Sequence, residues 1–391
     1  MHRRFVAPLA ALVTLTTAVK AQSPDSTPPR FVRLTAPVEV EMLNAGSDES
    51  PLPAVEVMIN GHGPYRFGIE TGARFLVLSS EVAAGARLVS RGNQSDIVEY
   101  HADSIAIGGA VIGDVTLATL PRMPRGVDGL LGLPAFADLS LTLDYARRVV
   151  RLTRDTLPSA DGRNVLPMTR AGPFIAIAVR YGSHVIPTII DTRSMTAFGV
   201  EPSTAQEFIW KTPPQLAGRA GGAGIPTTEV SRGVLGESIG LGRYELTSAP
   251  IVIHALPPDF PHDPRIGAGA LKYFVLTLDQ RTSRARLTRD STTTIDFGAP
   301  ASSAATPIAA AQLGDYVGTY GERTISIRTG SLFLQRVGGE PLEMVPAGAD
   351  EFTLRLVPAA KIQFTRDARG KVIELAVLAP SGSWERAKRA P

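Results

Sequence analysis

The chain contains two copies of one segment, and this constrains the fold more than any single motif. Leu141-Thr-Leu-Asp144-Tyr145 recurs as Leu276-Thr-Leu-Asp279-Gln280, and Arg151-Leu-Thr-Arg-Asp155 recurs unchanged as Arg286-Leu-Thr-Arg-Asp290, both at an offset of 135. Upstream, Ala54-Val-Glu-Val-Met-Ile59-Asn-Gly61 matches Phe174-Ile-Ala-Ile-Ala-Val179-Arg-Tyr-Gly182 in pattern. In each copy an apolar strand and a glycine turn lead into a second strand that ends in an acid followed by Thr. These ends are Phe67-Gly-Ile-Glu70-Thr71-Gly72 and Thr188-Ile-Ile-Asp191-Thr192-Arg193, at an offset of 121. The smaller offset implies 14 extra residues in the second copy, around Gly218 to Pro226. Several matches in the same order make a duplication, so the chain folds as two similar units.

The apolar runs are short and punctuated by 37 Gly and 31 Pro, which predicts an all-β chain without long helices. Brief helical turns are expected at Ser80-Glu-Val-Ala-Ala84 and Ser203-Thr-Ala-Gln-Glu-Phe208. The predicted organisation is a signal peptide over 1–21, a polar proline-rich tether over 22–30, β units over 31–157 and 158–290, a Ser/Ala/Thr-rich linker over 291–311, and a small C-terminal β unit over 312–391. In that last unit, strands are expected at Thr324–Arg328, Leu332–Val337, Phe352–Leu356, Lys361–Thr365 and Val372–Leu378.

The leader pairs Arg3 and Arg4 with an apolar stretch from Phe5 to Val19 and a small-residue cleavage site at Val19-Lys20-Ala21. That stretch is too short and too broken to serve as a membrane anchor. Export to the periplasm or medium is therefore expected. The formal charge of +3 comes from Arg3, Arg4 and Lys20, all within the leader, so the mature chain is neutral. A neutral body has no footprint for nucleic acid or an anionic membrane. The absence of cysteine excludes disulfides, thiolate metal sites, thiol nucleophiles and a lipid-modified cysteine.

An apolar strand ending in acid-Thr-Gly, present twice, resembles the aspartic peptidases, specifically the retropepsin-like proteins exported by bacteria. The resemblance spans about 31–290. It implies a two-lobed β fold in which each lobe contributes an Asp-Thr-Gly loop and, beside it, a later apolar-apolar-Gly segment. Gly126-Val-Asp-Gly129-Leu-Leu-Gly132 fits that second element well, and Arg265-Ile266-Gly267-Ala-Gly269 fits it loosely. The resemblance makes Glu70, Thr71, Gly72, Asp191, Thr192 and Arg193 the site residues and requires no cofactor and no metal. In the family, two carboxylates about 3 Å apart share a proton, one activating water while the other polarises the scissile carbonyl. The partner it implies is an extended peptide or unfolded protein segment between the lobes.

The chain departs from the family pattern in both halves. Glu70 stands where the family has Asp, and its extra methylene displaces the carboxylate by over an ångström, a misplacement that can cost about 100-fold in rate. Arg193 stands where the family has Gly, with strained backbone expected and a cation placed beside the acids. Two functions follow. One is a degenerate Glu70/Asp191 dyad that binds peptide with little or no cleavage. The other is an active aspartic endopeptidase.

Other signals are weaker. Gly236-Glu-Ser238-Ile-Gly240 has the form of a serine-nucleophile elbow, but Ser238-Ile-Gly-Leu-Gly242 aligns with Ser104-Ile-Ala-Ile-Gly108 as a repeat strand. The histidines show no metal-ligand spacing. Gly218 to Gly224 reads as a mobile loop, and Asn93-Gln-Ser95 as a glycosylation triplet that matters only in a eukaryotic secretory pathway. Tyr100 and His101 fall where the family folds a hairpin over its dyad, and are otherwise ordinary strand positions. Trp210 either lines a groove or fills core beneath a helical turn. The C-terminal unit resembles the small β domain appended to some exported β-lactamase-like hydrolases, which implies an accessory role.

Overall fold

The computed structural model describes residues 31–390 except 46–50, 74, 95–96, 120–122, 124–125, 173, 195, 223–224, 258–259, 291, 299–309, 338–340, 356–359 and 379–383. The expected signal peptide and tether, most of the expected linker, and Ser95 of the glycosylation triplet lie outside the described residues. The chain is all-β. Among the described residues the helical segments are a turn or so long, including Ser80–Gly85 and Pro202–Ala205 where brief turns are predicted. Ser79 caps the first, its hydroxyl accepting from the Val82 N–H at 3.2 Å.

Lobe one is a closed barrel. Around it run Pro53–Ile59, His62–Glu70, Gly129–Gly132, Leu76–Leu78, Ala110–Thr119 and Ile97–Ile107, and the last of these pairs back with the first. Closure removes the free edges that an isolated small sheet would expose. Asn60 (φ 49°) and Gly61 (φ 79°) turn the first hairpin, the doubly left-handed geometry that suits a two-residue connection. Val55, Val57 and Ile59 point into the core while Glu56 faces solvent.

In lobe two the strands around the site run Phe174–Tyr181, His184–Asp191, Arg265–Gly267, Phe198–Val200, Pro250–His254, Ile225–Leu235 and Trp210–Gly222. The stretch expected as a mobile loop at Gly218 to Gly224 is instead strand as far as Gly222, one arm of a long hairpin with Ile225–Leu235. Val230 and Ile225 give Gly218 and Gly222 β-favouring partners to pair with, so the extra residues of the second copy lengthen a hairpin.

The lobes are joined by one antiparallel sheet, in the order Val165–Ala171, Arg284–Thr288, Val275–Asp279, Ser140–Asp144, Val149–Thr153, Val38–Glu41. The two Leu-Thr-Leu-Asp segments lie side by side at its centre, with Thr142 opposite Thr277 and their hydroxyls 2.9 Å apart. The main hydrophobic core is continuous across both lobes.

The C-terminal unit is an eight-stranded antiparallel meander from Gly318–Tyr320 to Trp384–Lys388. Its ends meet where Tyr320 bridges Arg389 and the Ala390 N–H donates to the Thr319 carbonyl at 2.8 Å, forming a nearly closed barrel. The sequence predicts five of these strands. Gly318–Tyr320, Leu342–Gly348 and Trp384–Lys388 were not anticipated, because they are short, carry an internal Pro346, or are rich in charge. Tyr316, Tyr320, Phe352 and Phe364 pack ring against ring in a core separate from that of the lobes. A chain lacking 312–391 is therefore expected to stay soluble and to unfold cooperatively. Aggregation or a lost transition in a melting experiment would show that the lobes depend on the barrel.

Candidate active site

Each acid ends a strand, and each strand end lies beside a parallel neighbour. Glu70 closes His62–Glu70 opposite Gly132, and Asp191 closes His184–Asp191 opposite Gly267. A Cβ on Gly267 would sit 2.3 Å from the Thr196 carbonyl oxygen, so only glycine lets the loop after Asp191 fold back over its neighbour.

The two loops grip one another through their threonines, both fully buried. The Thr71 hydroxyl donates to the Ile190 carbonyl at 2.7 Å and accepts from the Thr192 N–H at 3.0 Å. Reciprocally, the Thr192 hydroxyl donates to the Ile69 carbonyl at 2.6 Å and accepts from the Thr71 N–H at 3.0 Å. The four bonds bring Glu70 and Asp191 together from opposite lobes.

Gly72 is needed for proximity: a Cβ there would lie 2.9 Å from the Asp191 carboxylate. Neither Gly72 nor Arg193 is among the described residues with positive φ. The backbone strain expected at Arg193 is therefore absent, since the turn stays in a region open to any residue.

Each carboxylate is held by an arginine. Arg193 Nε donates to Glu70 Oε1 at 2.6 Å. The Glu70 side chain is 8% exposed and that of Arg193 41%. Asp191 Oδ1 accepts from the backbone N–H groups of Arg193 at 3.1 Å and Ser194 at 3.2 Å, while Asp191 Oδ2 lies 3.4 Å from Arg265 Nη1. The Arg265 guanidinium also sits over the Phe174 ring at 5.4 Å. In the sequence Arg265 reads only as the loose fit in Arg265-Ile266-Gly267, with no sign of its contact to Asp191.

Burial pushes the Glu70 carboxyl above the usual carboxylate range; Arg193 pulls against this and the nearby Asp191 adds to it. A carboxyl raised by folding contributes stability that is complete below its unfolded pKa of about 4.3 and is lost as pH rises through the folded value. The urea midpoint of the wild type should therefore fall relative to that of Glu70→Gln as pH rises from about 4 through that raised value. Parallel pH profiles for the two proteins would show that Glu70 does not titrate in this way.

The remaining sequence candidates lie elsewhere. Tyr100 packs on the main core from within Ile97–Ile107, and His101 lies 3.5 Å from Asp103 and Asp114, so both occupy ordinary strand positions. Trp210 Nε1 donates to the Ala205 carbonyl at 3.2 Å and its ring leans on Phe208, filling space beneath the helical turn. Ser238 precedes the strand Ile239–Leu241 with no helix after it, so the elbow geometry is missing.

Residues 55–135 match the family model described as aspartyl protease. Solved structures to which the chain is similar include an aspartic proteinase from Irpex lacteus (16% identity, covering 66% of this chain and 98% of that one, TM-score 0.41). Basic 7S globulin from soybean is similar at 13% identity, 64% and 94% coverage and TM-score 0.36. A retropepsin-like aspartic protease from Rickettsia conorii is similar at 15% identity, 31% and 94% coverage and TM-score 0.23. No curated protein matches the chain in sequence. The match to the aspartyl protease model falls within the first lobe and includes Glu70, Thr71 and Gly72.

Proposed function

We propose that this is an exported peptide-binding protein built on an aspartic-peptidase scaffold whose dyad no longer cleaves. The observation that carries the reading is the Arg193–Glu70 ion pair at 2.6 Å. A working dyad needs one proton shared between two acids and one water activated between them. A guanidinium bonded to each acid occupies oxygens that would otherwise share that proton and hold that water. Scaffold and cleft survive such a change, because fold does not depend on the chemistry of its site. The expected ligand is an extended segment of unfolded protein lying between the lobes, bound without cofactor or metal. Export is supported by the leader read from the sequence.

One observation favours the alternative, an active endopeptidase. Burial raises Glu70, and a raised carboxyl is the form a general acid needs. The two readings separate in a capture experiment with a reduced, alkylated polypeptide. The binding reading expects the polypeptide to be retained by the protein and recovered at full mass, whereas recovery as fragments, with Asp191→Asn returning it intact, supports the peptidase.

A further inference from the structure

The register of the two lobes allows the sheet faces that carry Glu70 and Asp191 to be compared residue by residue. In lobe one a row runs across the strands from Gly68 through Leu130, Val77 and Ala118 to Glu99. The matching row in lobe two is Ile189, Arg265, Gly199, Val252 and Arg232. Lobe one fills its row with an apolar cluster containing Val77, Ala118 and Leu130. Lobe two puts a glycine where lobe one has Val77 and arginines where lobe one has Leu130 and Glu99. The row is continuous with the dyad, since Arg265 reaches Asp191 from it.

Among the described residues the charges on this face do not all cancel. Asp191 is taken by Arg265 and two backbone N–H groups. Glu201 is 8% exposed, accepts from the Leu256 N–H at 2.7 Å and lies 3.4 Å from His262 Nδ1. Arg232 has no hydrogen-bond or ion-pair partner among the described residues, although burial pulls its pKa down. His254, two positions along the strand that neighbours Arg232, has a buried Nδ1 with no partner. Between the two arginines, three strand spacings or about 14 Å apart, Gly199 leaves the space a side chain would fill. A Cβ there would meet nothing nearer than His254 Cε1 at 3.8 Å. A half-buried cation without a counterion is costly to keep, and a carboxylate placed over Gly199 lies within reach of both guanidiniums.

We infer that the Arg265–Gly199–Val252–Arg232 trough of lobe two is a subsite for an acidic side chain, so that the peptides held in the cleft carry Asp or Glu on the lobe-two side. Arg232 supplies the unspent charge and His254 Nδ1 a further polar contact. The inference rests on the peptide-binding reading above.

The test uses the full-length protein immobilised and challenged with pools of random octapeptides, all amidated at the C-terminus so that only side-chain carboxylates count. The pools carry a fixed Glu, Gln or Lys. The wild type is expected to retain the Glu pool about tenfold better than the Gln pool, the size of one charge-assisted hydrogen bond. Arg232→Gln should erase the difference, and Arg232→Glu should move the preference to the Lys pool. Equal retention of Glu and Gln pools by the wild type overturns the acidic subsite while leaving peptide binding in place. Retention of no pool overturns both.

Discussion

Replacing Glu70 with Asp, Arg193 with Gly and Arg265 with Leu together should create pepstatin-sensitive cleavage of an unfolded protein at mildly acidic pH, at least about 100-fold above the wild type. Each change removes one obstacle. Asp in place of Glu70 draws the carboxylate back by the length of a methylene. Glycine at 193 removes the cation from that carboxyl, which burial and Asp191 already push toward its neutral form. Leucine at 265, the residue lobe one carries at the matching Leu130, frees Asp191 Oδ2. The double variant Glu70→Asp/Arg193→Gly should stay at background, because Arg265 still occupies Asp191 Oδ2. Cleavage by the double variant equal to that of the triple would show that Arg265 has no part in the lock. A folded triple variant that cleaves nothing would show that the site lacks something besides freedom from arginine.

Thr192→Val should destabilise the two-lobed body by about 3 kcal/mol, lowering its melting temperature by roughly 6 to 12 °C. Valine keeps the shape of threonine but loses the hydroxyl. That leaves the Thr71 N–H and the Ile69 carbonyl without partners in a part of the molecule with no exposure to water. Thr192→Ser keeps both bonds and should cost about 1 kcal/mol or less. A Thr192→Val protein that melts with the wild type, measured by circular dichroism, would show that the grip between the loops is not a stabilising element.

The fold was legible wherever the sequence repeats itself. The Leu-Thr-Leu-Asp copies mark the centre of the joining sheet, and the acid-Thr pairs mark the ends of the two strands whose loops meet at the dyad. Glu70, Asp191 and Arg193 could be placed together because short motifs encode strand ends and turns locally. Arg265 could not. Its contact with Asp191 depends on a parallel strand 74 residues away, and a cation in an apolar-apolar-Gly pattern looks like a blemish until register sets it beside an acid. Arg232 and His254 were hidden for the same reason, since only the order of strands shows that they share a face with the dyad. The long lobe-two hairpin was missed because glycine-rich composition describes backbone freedom, whereas pairing depends on the partner strand. In the C-terminal barrel the overlooked strands are those whose own side chains bury little, so their periodicity is weak.

Incubating the wild-type protein with a reduced, alkylated polypeptide from pH 3 to pH 7 and following products by mass spectrometry puts the central claim, that arginines hold both acids out of catalysis, to its most direct test. The arginine-locked site predicts the same uncut mass spectrum for the wild type as for Asp191→Asn at every pH. Fragments that appear with the wild type and vanish with Asp191→Asn would contradict it.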